Sequence, residues 1–216
     1  MHIKLYPRFF MAATMVAFGV AALGQSAGSL TKERVLFLLP LGTDSDVAAE
    51  ARYKELLSHG EAIHPILAQI ASETDDRHTL AVILGTLELS GSQKPAARAI
   101  VRSILKRFEK TTGPNAEALR QHAVRALGSI GTKDDIPVLL PLLESEEEFL
   151  RTNAARSLGK LGDETTVAQI DEAFGKVSAR ANVGALEKQR LLEEREVARG
   201  AIKKRLKEQR DGNAAK

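Results

Sequence analysis

The chain of 216 residues has no cysteine and no tryptophan, and only 4% of it is aromatic. Without cysteine there is no disulfide, no thiol nucleophile and no thiolate zinc site, so the fold stands on packing alone. So few aromatic rings exclude the base-stacking platforms of single-stranded nucleic-acid binders. They suit helices packed through alanine and leucine better than sheets. No glycine-rich string of the phosphate-cradling kind is present. None of His2, His59, His64, His78 and His122 stands four residues from another histidine beside a catalytic glutamate, as a helical zinc site requires. A surplus of one charge sign is missing too. Of the 31 basic residues set against 28 acidic ones, Lys4 and Arg8 lie in an N-terminal segment expected to be removed, which leaves the remainder nearly neutral. Nucleic acid is therefore not an expected partner.

Long apolar runs are lacking everywhere but at the start. Lys4 and Arg8 form a basic region without acids, residues 9–23 are apolar apart from Thr14 and Gly19, and Ala22 and Gly24 supply small residues before Gln25. This is the pattern of a secretory signal peptide over residues 1–24. A run of this length is short of the roughly 20 residues that a membrane span needs. The expectation is an exported protein, periplasmic or secreted, with no stable membrane anchor once the leader is cleaved. The alternative is anchorage by an uncleaved N-terminal segment. With no cysteine after the run, a lipid-anchored lipoprotein is excluded.

What is present is a repeat. Leu119-Arg120-Gln121-His122-Ala123-Val124-Arg125-Ala126-Leu127-Gly128-Ser129-Ile130-Gly131 returns as Leu150-Arg151-Thr152-Asn153-Ala154-Ala155-Arg156-Ser157-Leu158-Gly159-Lys160-Leu161-Gly162, at an offset of 31. Leu119, Ala123, Ala126, Leu127 and Ile130 share one helical face. Gly131 is expected to close that helix in a left-handed cap. Thr132, Lys133, Asp134 and Asp135 can form a capping box for a second helix whose face is Ile136, Leu139, Leu140 and Leu143. After Gly162 the pattern recurs, with Asp163 as N-cap and Val167, Ile170 and Phe174 as the face. A period of this size, filled with helix formers, signals stacked helix pairs.

The string Leu-Arg-x-x-Ala-[Ala/Val]-Arg-x-Leu-Gly-x-[Ile/Leu]-Gly, followed by a leucine- and proline-rich helix, resembles HEAT repeats, and most closely the short subtype also found in phycobilisome lyases. The resemblance is specific across residues 115–177. It implies an all-α fold, an α-solenoid of about four HEAT-like helix pairs over residues 30–184, in which the second helix of each pair lines the concave face. Residues 185–210 then form a long charged helix that caps the C-terminal end. Earlier in the chain, residues 30–41 read as a lone second helix, because residues 35–41 can be laid on residues 136–142 at an offset of 101, with a short strand as the rival. Residues 47–57 and 61–72 make one pair, and residues 77–87 and 95–110 make another. The resemblance implies no cofactor: HEAT-like enzymes that hold two irons use repeated His-Glu dipeptides, and none occurs here.

Two sets of charged residues stand out. Arg77, Arg120 and Arg151 open successive first helices in one register, and a ladder is expected in which each reaches a carboxylate, with Asp134 and Asp163 as candidates. Lys94, Arg98, Arg102, Lys106 and Lys110 are spaced by four, with Arg107 beside them, and no acid lies among them. Like charges at that spacing repel, so the ridge is the candidate surface for a partner, another protein with an acidic surface. Glu144, Glu146, Glu147 and Glu148 read as charge at a helix start. The expected function is a non-catalytic binding scaffold for protein–protein interaction. The alternatives are an enzyme or enzyme subunit of the bilin-lyase kind, and an anionic-polymer binder using the ridge and Arg199, Lys203, Lys204, Arg205 and Lys207.

Overall fold

A computed structural model describes residues 30–40 and 46–214. The leader at 1–24 and most of the turn at 42–46 lie outside the described residues. Among those described there are ten α-helices and no strand: α1 (Lys32–Leu38), α2 (Asp46–Ser58), α3 (His64–Glu73), α4 (Arg77–Ser90), α5 (Pro95–Arg107), α6 (Pro114–Ile130), α7 (Ile136–Leu139), α8 (Glu148–Leu161), α9 (Glu164–Ser178) and α10 (Ala185–Ala214). Within the stretch at 30–41, Lys32–Leu38 is helical and no described residue is in a strand. α10 runs through Asp211 to Ala214, past the expected end at residue 210. Among the described residues no helix is long and apolar enough to cross a membrane.

The helices alternate between two layers. α4, α6, α8 and α10 pack side by side in the first; α3, α5, α7 with its flanking 3-10 turns, and α9 form the second. α2 pairs with α3 through a 3-10 turn, and α1 leans on both. This is an all-α solenoid of four pairs, with α10 standing as an unpaired first-layer helix at the end. The apolar faces meet between the layers: Leu119, Ala123, Ala126, Leu127 and Ile130 of α6 are buried, as are Leu150, Ala154 and Leu158 of α8. Ile136, Leu139 and Leu143 oppose them from the second layer, followed by Ile170 and Phe174.

Local chemistry sets the boundaries. Asp76 caps α4 by accepting from the Thr79 amide at 2.8 Å. Thr132 and Asp135 form a reciprocal capping box, and at an offset of 31 Asp163 and Thr166 form another with the residue types exchanged. Proline falls in the first turn of α3, α5, α6 and α7, where its missing amide does no harm. Pro137 and Pro141 confine the second helix of the third pair to short α and 3-10 pieces.

Neighbouring first-layer helices approach through small residues. A Cβ on Gly128 of α6 would stand 2.7 Å from Ser157 Cβ of α8, and the buried Ser157 hydroxyl donates to the Val124 carbonyl at 2.9 Å. One repeat on, Gly159 faces Ala198 and Ala201 of α10. The expected left-handed cap at Gly131 is corrected: its φ is −70°, extended backbone, and Gly162 matches it at −64°. Glycine is needed there for space. A Cβ on Gly131 would collide with the Leu127 carbonyl and lie 2.9 Å from Leu161 Cδ1. On α10, the position in register with Gly128 and Gly159 is Lys203, an exposed charge. A lysine there does not offer the close approach that glycine gives at the other two positions.

Candidate functional site

The basic helix α5 has two flanks outside the core, and they differ. On the side toward the third pair, Arg98 donates to Asp135 Oδ2 at 3.1 Å and to Thr132 Oγ1 at 2.6 Å, and Arg102 Nε donates to Asp135 Oδ1 at 2.6 Å. Arg102 also reaches the Asp134 carbonyl at 3.0 Å. Asp135 is fully buried and also accepts from the Thr132 amide at 2.8 Å, so one carboxylate closes the capping box and receives both guanidinium groups. This corrects the expectation of a ridge wholly open to a partner: Arg98 and Arg102 are engaged in holding pair two to pair three. Arg98 is only 12% exposed.

The arginine ladder exists with other acids than Asp134 and Asp163. Buried Arg120 donates to the carbonyls of Phe108 (2.7 Å) and Thr111 and pairs with Glu147, at the N-cap of α8. Buried Arg151 donates to the carbonyls of Ser145 (2.8 Å) and Glu146 (3.2 Å) and pairs with Glu187 at 2.8 Å, in the first turn of α10. Each rung thus ties the end of the preceding second-layer element to the start of the next first-layer helix. Asp134 instead faces Arg98 at 3.5 Å, and Asp163 faces Lys133 at 3.6 Å. Arg77 forms no ion pair among the described residues.

The remaining charge clusters are stitched in the same way. Glu144 pairs with Lys176, Glu146 with Arg180 and Glu148 with Arg190, so the acidic segment bridges to the following repeat and does not cap α8 by a side-chain bond. At the C-terminal end Arg199 faces Asp171 at 3.5 Å, Arg205 donates to the Gly162 carbonyl, and Lys204 lies 4.0 Å from Glu208. Lys203 and Lys207 stay exposed.

The side of α5 toward α3 is different. Between the two helices runs a groove of about 290 Å³ whose walls are Pro65, Ala68 and Ala71 on one side and Ala96, Ala99 and Ser103 on the other. Ala68, Ala96 and Ala99 are exposed, so the groove opens outward from the second layer. His64 sits at its floor, 2% exposed, its Nε2 buried without a hydrogen-bond partner. Burial holds the imidazole below its ordinary pKa, hence neutral at pH 7. At one end Arg107 donates to the Ala71 carbonyl at 2.9 Å. One turn beyond Ser103 stands Lys106, and then Lys110, both exposed and without an acid partner among the described residues. Lys94, at the other end, is 3.3 Å from Glu61, an exposed pair of little worth.

Sequence reasoning does not pick out these alanines: Ala68, Ala96 and Ala99 are small residues on exposed positions of α3 and α5, whereas Ala71 belongs to the core.

Residues 104–182 match the family model described as HEAT repeats, a span running from the last turn of α5 through α9. The two-layer all-α stack is consistent with a HEAT-type solenoid fold, and HEAT repeats commonly serve as protein-interaction scaffolds. No curated protein matches the chain.

Proposed function

We propose that the protein is an exported, non-catalytic scaffold that binds another protein across the outer face of α3 and α5. The observation that carries this reading is the alanine-walled groove with Lys106 in the last turn of α5 and Lys110 in the turn that follows it, α5 ending at Arg107 and not at the expected Lys110; no acid of the described chain neutralises these two cations. A groove of this size is at the lower limit of ligand pockets, roughly 300–1,000 Å³. It suits one or two apolar side chains of a partner segment whose acidic residues face Lys106, Lys110, Lys94 and Arg107. Helices fixed by inter-repeat ion pairs present such a surface without ordering on contact. The second layer is also the one the repeat resemblance puts on the concave side. Export rests on the leader pattern at residues 1–24.

The test is capture from the exported fraction with wild type, Lys106→Glu/Lys110→Glu, and Ala99→Trp, which fills the groove from an exposed position. Both variants should fold normally and lose the partner. Retention of the same partner by both variants at low and moderate salt rules this face out.

A further inference from the structure

The floor of the α3/α5 groove holds a titratable group that the fold leaves unsatisfied. His64 is the first residue of α3, 2% exposed, and its Nε2 is buried without a hydrogen-bond partner. The walls around it, Pro65, Ala68, Ala96 and Ala99, offer no side-chain acceptor. A neutral imidazole tolerates such a seat. An imidazolium does not, because it gives up its water while both of its N–H groups need acceptors. The position adds to the penalty, since a helix N-terminus favours negative charge. Burial accordingly holds the ring below its ordinary value of 6.5.

The charges on the neighbouring elements do not offset this. Glu61, in the 3-10 turn Gly60–Ile63 before α3, is the acid that acts on His64, and burial outweighs it. Its carboxylate is engaged 3.3 Å from Lys94, at the start of α5. Arg34 of α1 and Glu55 of α2 pair with each other, and Lys32 of α1 pairs with Glu73 at the far end of α3. Toward that end also stand Lys106, Arg107, which bonds the Ala71 carbonyl, and Arg77 at the start of α4. His59 lies ahead of the turn, beyond Gly60. Gly60 itself has φ +54° and open space beside it, so the turn hangs on a glycine with the backbone freedom of a hinge.

We infer that the α3/α5 face is acid-sensitive: a proton on His64 draws the 3-10 turn and the first turn of α3 away from α5, so the groove is intact at neutral pH and opens in mildly acidic surroundings. The freed imidazolium then pairs with Glu61, which gives up Lys94 for it. The consequence, release of a bound partner, rests on the reading of this face as a docking surface; the opening itself needs no partner. The folded chain takes up this proton less readily than the unfolded one. Stability attached to His64 is therefore full above about pH 6.5 and is lost as pH falls below it. That window lies well above the one in which Asp163 titrates, toward pH 2.

The test compares wild type with His64→Leu between about pH 7.5 and 5. Melting followed by circular dichroism should show wild type losing about 3 °C or more beyond the loss of His64→Leu. His122, which burial and Arg125 also hold neutral, contributes equally to both proteins, so the difference isolates His64. The groove is read with acrylodan on Ala99→Cys, whose thiol is unique because the chain has no cysteine. Its emission should move to the red on acidification when His64 is present and stay fixed when His64→Leu is added. Nuclear magnetic resonance of the wild-type imidazole should give a midpoint below 6.5, a readout that decides even where His64→Leu is unstable. The inference is overturned by a midpoint at or above that value, by equal losses of melting temperature, or by the same acrylodan shift with and without His64. No partner enters these readouts, and the docking surface is tested at neutral pH by Lys106→Glu/Lys110→Glu, so either claim can fail alone.

Discussion

Asp135 is the residue whose removal discriminates most sharply between a solvated basic ridge and an inter-repeat staple. Its carboxylate is fully buried and accepts from Arg98, Arg102 and the Thr132 amide. Asp135→Ala leaves Arg98 nearly buried, with only the more distant Asp134 at 3.5 Å as counter-charge, and leaves the Thr132 amide without its acceptor. Removing one partner from a buried ion pair typically costs about 3–5 kcal/mol. Arg102 is more than a third exposed and recovers water, so about 3 kcal/mol is the better figure. For a chain of this size that corresponds to a fall of roughly 6–12 °C in Tm, at about 2–4 °C per kcal/mol. Arg98→Gln/Arg102→Gln should also destabilise strongly, because it buries Asp135 without a cation. Combined with Asp135→Ala it should cost less than the sum of the two, since the triple variant leaves no buried charge unpaired. Circular dichroism melts of the three variants provide the assay. If Asp135→Ala melts within about a degree of wild type and the effects simply add, the arginines are solvated and the staple does not exist.

Three further outcomes follow from the same geometry. Gly128→Val drives a branched side chain into Ser157, whose Cα would lie 2.9 Å from the new Cβ, and should cost at least about 1–3 kcal/mol; Gly200→Ala, with nothing within 4 Å, should stabilise by up to about 1 kcal/mol. Equal melts for both would refute close packing in the first layer. Asp163 has its carboxyl lowered to about 2 by the Thr165 and Thr166 donors, below the unfolded value of 3.8, so its contribution is present above about pH 4 and lost as pH falls toward 2. Asp163→Asn should flatten that part of the stability profile, and an unchanged acid limb would contradict the cap's role. Intact-mass analysis of the exported fraction should find a chain beginning at Gln25; Met1 still attached would remove the basis for export.

Much of this fold is legible in the chain because the helix period is written in Leu119, Ala123, Ala126, Leu127 and Ile130 and then written again 31 residues on. The capping box at Thr132–Asp135 is equally local: side chain and amide are three residues apart, so spacing alone specifies it. The partners of the charged residues are not local. Arg98 and Asp135 are 37 residues apart and meet only because α5 and the start of α7 are neighbours in the second layer. A helical wheel of α5 separates core from non-core and cannot tell a flank that faces the next repeat from one that faces water. For the same reason the ladder was expected to use Asp134 and Asp163, close in sequence, when the stack brings Glu147 and Glu187 to the arginines. At Gly131 the sequence suggests a backbone requirement, whereas the constraint is contact with Leu127 and Leu161, which sequence cannot display.

The central functional claim is that the protein engages its partner with the α3/α5 face. The most direct measurement is in-cell photocrosslinking with a benzophenone amino acid placed at Ala99, in the groove, and separately at Lys188, an exposed position on α10. A discrete adduct with an acidic protein is expected from Ala99 and not from Lys188, and it should disappear when Lys106→Glu/Lys110→Glu is added. The same adduct from both positions, or an Ala99 adduct that survives the charge reversal, would contradict the account.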